Sequence, residues 1–249
     1  MMRLAALLLL VALPVQAEEV VAGMSQNRVQ ITTNFDGSEI LIFGAVKRET
    51  PLPDGPTLQV IITVEGPSSP VTIRRKGKRF GIWVNTAAVE VDEAPSFYAV
   101  STSAPWREVI KDIEDLRNKV SIDRAIRAVG LERRDGGDFV KALIRIRRDE
   151  DAYFNDFGGV EVSEETLFRA SVKLPANLTE GDYITRFFLT RGGEVIDVHQ
   201  SMIDVRKVGL EQFLFNLSRQ QPLIYGLMSL TIAIAAGWLA SAIFRWIRV

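Results

Sequence analysis

The sequence predicts a mainly β chain: an immunoglobulin-like β-sandwich ectodomain with an α-helical insertion, plus one C-terminal transmembrane α-helix. Three observations carry that expectation. Short β-type runs, punctuated by Gly, Pro, Asn and Asp at roughly ten-residue spacing, fill residues 18–104 and return over 158–208. Between them, over residues 105–157, the apolar period changes from two to about 3.6. Residues 223–244 then carry no charge. About 20 apolar residues at 1.5 Å rise match a hydrocarbon core roughly 30 Å thick.

Composition narrows the function classes. With 30 basic and 31 acidic residues the formal net charge is −1. Phosphate-backbone binding needs concentrated positive charge, so nucleic acid is not an expected partner. There is no cysteine, which removes thiolate zinc sites, thiol catalysis and disulfides. A domain outside the cytoplasm must then be stabilised by its core alone.

At the N-terminus Arg3 precedes an apolar run, residues 4–13, followed by Pro14 and Val15-Gln16-Ala17. The run is too short to span a bilayer and reads as a secretory signal peptide, residues 1–17, cleaved after Ala17. An uncleaved anchor is the other reading. Glu18 then begins the mature chain, residues 223–244 stop transfer, and the 245–249 tail with Arg245 and Arg248 stays inside. The expected location is the inner (cytoplasmic) membrane, single-pass, with a periplasmic N-terminal domain and a cytoplasmic C-terminus. A eukaryotic secretory route fits the same signals.

In the first β region, residues 28–32 alternate polar and apolar side chains, and Asp36-Gly37 gives a hairpin-type turn before the 40–46 run. Further runs cover 58–64, 71–75, 82–85 and 97–100. Arg74, Arg75, Lys76, Lys78 and Arg79 form the most basic stretch of the ectodomain. They read either as a solvated hairpin tip around Gly77 or as an anion or headgroup contact, since Lys and Arg near an anionic surface add attraction.

Pro105 suits a first helical turn, with Ser103 as a capping candidate. Trp106, Val109, Ile110, Ile113, Leu116 and Val120 mark one face; Arg107, Glu108, Lys111, Asp112, Glu114 and Asp115 fill the other. A second helix is predicted over 122–129, ending at Gly130. A third follows Gly136-Gly137 with Phe139, Leu143 and Ile146 as its apolar stripe. The three read as an insertion covering one side or end of the sandwich.

Beyond it, residues 167–174 alternate as a strand, and Gly192-Gly193 makes a hairpin of 183–190 and 194–205. The turn ending Gly181-Asp182-Tyr183 looks like the corner of immunoglobulin-like sandwiches, where a tyrosine hydroxyl caps upstream backbone. The two β regions close one sandwich, or form two. Residues 209–222 are a juxtamembrane linker, with Leu210, Phe213, Leu214 and Leu217 on one helical stripe.

The blocks Leu167-Phe168-Arg169-Ala170, Leu174-Pro175-Ala176-Asn177, Gly181 with Tyr183, Gly209-Leu210-Glu211, 222–226 and Gly237-Trp238 resemble the alphaproteobacterial putative transmembrane protein family. The resemblance covers nearly the whole mature chain. It implies a signal peptide, a periplasmic region and one C-terminal span, and no defined activity. It also implies an accessory role beside permeases of the sulfite/sulfonate type.

No catalytic constellation stands out. His199 is the single histidine, on a predicted strand, and neither a nucleophile elbow nor a phosphate-binding glycine loop is present. The acidic groups Asp149-Glu150-Asp151 with Asp156, and Asp135 with Asp138, miss calcium-loop spacing and read as solvated helix ends. Tyr153, Phe154 and Phe157 beside Gly158-Gly159 line a pocket or pack a helix exit onto a sheet. No metal or cofactor is implied. The expectation is a non-enzymatic periplasmic accessory or interaction module for a membrane transporter or assembly. The alternatives are a ligand-binding domain delivering small anions, sulfite or sulfonate in type, to a permease, and a hydrolase with an unfamiliar site. The expected partners are the lipid bilayer and an inner-membrane protein, or a second copy through the span. Ser229, Ala233, Gly237 and Ser241 recur every four residues there as a candidate helix-packing face.

Overall fold

A computed structural model describes residues 18–32, 35–48, 51, 55–128 and 136–247. The expected signal peptide, together with Val129, Gly130, Asp135 and Arg248, lies outside these. The elements in chain order are β1 (Glu19–Met24), β2 (Arg28–Ile31), β3 (Ser38–Lys47), β4 (Leu58–Glu65), β5 (Ser68–Arg79), β6 (Ile82–Pro95), β7 (Tyr98–Thr102), α1 (Trp106–Val109), α2 (Asp112–Asn118), α3 (Ile122–Ala125), α4 (Gly136–Asp149), β8 (Tyr153–Phe157), β9 (Glu161–Ser163), β10 (Leu167–Leu174), β11 (Gly181–Arg191), β12 (Glu194–Lys207), α5 (Leu210–Gln220) and α6 (Pro222–Ile247).

The strands form a four-stranded sheet ordered β1-β3-β10-β9, a six-stranded sheet ordered β2-β12-β11-β4-β7-β8, and a separate β5-β6 ribbon. Strands from both β regions share both large sheets, so the chain builds one sandwich. Period-two alternation puts Ile40, Ile42, Phe168, Ala170 and Val172 on the inner side of the smaller sheet. Val60, Ile62, Phe187 and Leu189 answer from the larger one, with Phe168 and Phe187 ring to ring at 6.2 Å. At Gly44 a Cβ would stand 2.3 Å from the Phe168 ring, so the crossing of β3 under that ring requires glycine. Tyr183 is fully buried, and its hydroxyl donates to the Thr179 carbonyl at 2.9 Å, the upstream-backbone cap expected at this corner.

A second apolar core lies on the other face of the six-stranded sheet. Ile61, Tyr98, Val100 and Phe188 pack there with Val109, Ile110, Val120, Ile122, Phe139, Leu143 and Ile144 from the helical segment. That segment is the crossover between β7 and β8, which pair in parallel, Tyr98↔Tyr153 through Thr102↔Phe157. Parallel neighbours need a long connection, and the helices supply it. Residues 153–157, expected as an aromatic helix exit, are therefore an edge strand.

Several expectations need correction. Asp36-Gly37 does not close a hairpin: β2 lies in the six-stranded sheet and β3 in the four-stranded one, so the step is a crossover between sheets. The helix expected from Trp106 to Val120 breaks at Ile110, whose backbone is extended. The Lys111 N–H then donates to the Gly193 carbonyl at 2.9 Å. The break resets the helical phase. Ile113 and Leu116 face solvent, while Glu114 and Asp115 are buried. Asp115 accepts from the Val120 and Ser121 N–H groups at 3.2 and 2.7 Å and from the Ser121 hydroxyl at 2.8 Å. Glu114 pairs with Arg117 at 2.6 Å. The second helix is one turn, Ile122–Ala125, and Arg127 then bridges to Glu93. On α4 Ile144 is buried in the role expected of Ile146, which is exposed.

Two polar assemblies tie the larger unit together. The guanidinium of Arg191, at the end of β11, spans Glu18 at 3.0 Å and Glu165 at 3.2 Å. Arg48 pairs with Glu18 at 2.5 Å and also donates to the Glu165 carbonyl. These four side chains are only 10–21% exposed, so their charges must satisfy one another. Elsewhere Arg186 donates to the Asn118 and Lys119 carbonyls at 2.8 and 3.1 Å and to the Tyr98 hydroxyl at 3.0 Å, fastening the end of α2 to the sheet. Burial pushes the Tyr98 phenol up to about 12 and raises the Glu65 carboxyl above the ordinary carboxylate range, against the opposing pull of Arg186 at 3.8 Å.

The second unit comprises residues 30–35 and 206 onward. α5 ends at Gln220, the following Gln221 N–H donates to the Leu217 carbonyl, and Pro222 opens α6, as proline suits a first helical position. Linker and span are thus two helices. Residues 222–245 of α6 have a mean hydropathy of 1.9 and meet the length and polarity of one membrane crossing.

Two outcomes test this description. Arg191→Met leaves Glu18 and Glu165 short of a partner in a largely buried site, and should destabilise the larger unit by about 3 kcal/mol, read as a lowered thermal midpoint of the detergent-solubilised chain. The folded state holds the Glu65 proton more tightly than the unfolded chain does. Its contribution is therefore present below the unfolded carboxylate pKa and is lost as pH rises through the raised folded value. Glu65→Gln should match the wild type near about pH 4 and become relatively more stable towards pH 7; a constant difference across that window would exclude the assignment.

Candidate functional site

The five cations expected as an anion or headgroup contact lie on the β5-β6 ribbon. Its base is anchored in the second core through Ile73, Val91 and Ala94. Pro70 and the Arg75/Lys76 step each break the ladder register. Beyond the second break the pairs Lys76↔Asn85, Gly77↔Val84, Lys78↔Trp83 and Arg79↔Ile82 continue as an arm. From Arg74 to the turn the strand extends about 20 Å at 3.3 Å per residue. No carboxylate occurs between Arg74 and Val89. The turn is Phe80-Gly81, with φ of +49° and +84°. Both values belong to the two-residue hairpin turn that favours Asn-Gly, and a left-handed phenylalanine costs about 1–2 kcal/mol. Phe80 is fully exposed, Ile82 64% and Trp83 68%. The expected tip around Gly77 is therefore four residues further on, and it is apolar. Arg75 leaves the group: its guanidinium stacks 4.7 Å from the Phe139 ring of α4.

A second surface comes from the phase reset of α2. Anchored at Lys111 by Gly193 and Glu194 (Nζ–Oε1 2.7 Å) and at Asn118 by Arg186, α2 runs beside the β11–β12 hairpin. Lys111 holds the exposed Glu194 carboxyl below its ordinary range. Between these anchors α2 presents Ile113 (58% exposed) and Leu116 (51%), and β12 presents Ile196, Val198 and Met202. A helix that buries two carboxylates and exposes its aliphatic residues inverts the usual order. The sequence signal for this was available only in part, since the break at Ile110 comes from pairing with residue 193. The outer face of the four-stranded sheet carries another apolar groove, of about 730 Å³, around Val21, Phe43 and Leu167.

The residues considered for chemistry are placed as follows. His199 lies against Phe187 in a tilted arrangement, with ring centroids 5.9 Å apart. Tyr153 is buried and donates to the Pro95 carbonyl at 2.6 Å, with desolvation raising its pKa. Phe157 packs on Trp106 at 5.9 Å. Phe154 lines an open cleft of about 820 Å³ with Asp36, Glu39, Asp151, Asp156 and Lys173. Asp151 and Asp156 thus meet there as the sequence grouped them, whereas Glu150 pairs with Arg147 at 3.2 Å. Four carboxylates against one ammonium make a field that repels a sulfite- or sulfonate-type anion. Among the described residues no group of His, Asp and Glu has the arrangement of a metal site. On α6, Ser229, Ala233, Gly237 and Ser241 are all exposed; the Ser229 hydroxyl donates to the Gly226 carbonyl, and nothing crowds Gly237. The Glu18–Arg48–Arg191–Glu165 cluster was not foreseen, because its members are far apart in sequence.

No curated protein matches the chain. Among solved structures, Spo0M, a sporulation control protein from Bacillus subtilis, aligns at 11% identity with a TM-score of 0.29. The match covers 82% of this chain and 56% of that one, so the chain spans about half of its length. A family profile described as "Putative transmembrane protein (Alph_Pro_TM)" matches residues 19–246, running from β1 through both sheets and the helical crossover into α6. With sandwich, linker and apolar helix all inside one match, the chain belongs to that transmembrane protein family.

Proposed function

We infer that this chain is a non-enzymatic interaction module, held by α6 in the inner membrane with its β domain on the periplasmic side, that docks onto a neighbouring membrane protein of a transporter or assembly. The observation that carries this is the inverted α2. Exposed Ile113 and Leu116, beside Ile196, Val198 and Met202 of β12, form the kind of rimmed apolar surface that marks protein contacts. Lys111 with Glu194, and Arg117, supply polar groups at its edge. The non-enzymatic reading rests on the engagement of the buried ionisable groups in structural pairs and on the absence of a nucleophile motif in the sequence.

Two measurements test the reading. Crosslinking and co-purification from mild detergent, with α6 intact, should recover a membrane protein in stoichiometric amount. Ile113→Glu with Leu116→Glu should weaken that association about thirtyfold or more, as for a hot spot of about 2 kcal/mol, with the thermal midpoint little changed because both side chains are solvent-facing. Recovery of the wild type only as a lone monomer would sink the proposal. Ala233→Leu with Gly237→Leu should reduce helix–helix crosslinking within the bilayer while leaving insertion intact. If association is untouched, α6 acts as a tether alone.

A further inference from the structure

We propose that the β5-β6 arm is a second membrane contact of this chain: Phe80, Ile82 and Trp83 seat in the interface of an anionic phospholipid bilayer while Arg74, Lys76, Lys78 and Arg79 lie against the headgroup phosphates. Phe80 stands at the turn, each of the last two rungs pairs a cation with an apolar or aromatic side chain, Arg79 with Ile82 and Lys78 with Trp83, and Lys76 and Arg74 lie further back. A tip led by an aromatic ring and mixing cations with apolar side chains suits the mixed polarity of a bilayer interface. Tryptophan prefers the membrane–water boundary, where its ring is half in hydrocarbon and its N–H is wet. Basic side chains behind an apolar group are drawn to anionic lipid within about a Debye length.

Three features separate this contact from a solvated tip or a protein pocket. A solvated two-residue turn of this type is best served by Asn-Gly, yet the arm carries a fully exposed phenylalanine in the left-handed region at that point. Among the described residues, the side chains of Phe80, Ile82 and Trp83 belong to no buried core. Successive rungs of a ribbon face opposite sides. Arg79 with Ile82 therefore points one way and Lys78 with Trp83 the other, so each face carries at least one cation beside an apolar or aromatic side chain. A protein groove reads one face, whereas a fluid interface surrounds both. The bilayer is also at hand, because the same chain carries α6, and tethering turns a weak surface contact into an intramolecular one.

The chain contains no cysteine, so a single introduced thiol reports one site. The full chain with Ile82→Cys, carrying an environment-sensitive fluorophore, is reconstituted in vesicles of phosphatidylcholine alone or mixed with phosphatidylglycerol. Glu180→Cys, on an exposed turn, serves as the reference. The expected result is a blue-shifted emission at position 82, quenched by lipids with spin-labelled acyl chains, only in the phosphatidylglycerol vesicles, and reversed near about 1 M salt, where the Debye length is about 3 Å. Replacing Arg74, Lys76, Lys78 and Arg79 together by Gln should lower the ratio of inserted to free tip by about a thousandfold. Arg75 is left in place because it stacks on Phe139. Unchanged thermal midpoints show that the variants remain folded. The proposal is overturned by identical spectra in the two vesicle types or by an equal change at Glu180→Cys. It is equally overturned by a signal that grows with the protein-to-lipid ratio, which would indicate a second copy, or by one seen only in native membranes, which would indicate a protein partner.

Discussion

Everything in the larger unit depends on a wall that is covered on both sides. β4 is buried along almost its whole length, and with β11 and β7 it separates the sandwich core from the helix-covered core. A strand with two apolar faces cannot stand at a surface, so the sheet needs the four-stranded partner on one side and the helical crossover on the other. The near-continuous run Val60-Ile61-Ile62 is the sequence form of that demand. It explains why short helices such as α1 and α3 persist at all. Helices of four residues have no independent stability, and they survive here because Val109 and Ile122 close over the sheet.

The same wall explains which parts of the fold were legible in the sequence. β10 alternates cleanly because one of its faces is wet, and its predicted bounds, 167–174, match the structure. The Gly192-Gly193 turn, the Tyr183 corner and the apolar helix are local signals, and each is where the residues place it. The failures share a cause of the opposite kind. The helix over 106–120 breaks because Lys111 pairs with Gly193, a contact 82 residues away in sequence that no local period encodes. Asp36-Gly37 has hairpin chemistry but joins two sheets, since partner choice is a property of the sandwich and not of the turn. Residues 153–157 needed knowledge of the parallel edge at β7. Of the candidate site, the cations of the β5-β6 arm were readable as a charge run. Their meaning changed once Phe80, Ile82 and Trp83 proved exposed instead of packed.

Charge is close to balanced over the chain but unevenly distributed. The outer part of the β5-β6 arm is purely cationic, the cleft between Glu39 and Asp156 is mostly anionic, and Glu18, Arg48, Glu165 and Arg191 neutralise one another out of solvent. A net charge near zero therefore says nothing about local fields. The buried cluster also ties Glu18 to β11 and to the turn before β10. Its two carboxylates and two guanidiniums satisfy each other only when all four are in place, which makes it more a condition for correct assembly than an additive source of stability.

Membrane attachment is divided between parts of very different strength. An apolar helix of the length of α6 inserts in an effectively irreversible manner, whereas a few cations with three apolar side chains bind a surface weakly and reversibly. Alone, such an arm would not hold a protein of this size at a bilayer. Joined to a span, it needs only to compete with its own unbound state at a local lipid concentration far above any bulk value. The arm's contact is then tunable by salt and lipid charge while anchoring stays constant. A weak arm beside a strong anchor thus separates residence at the membrane from response to its surface.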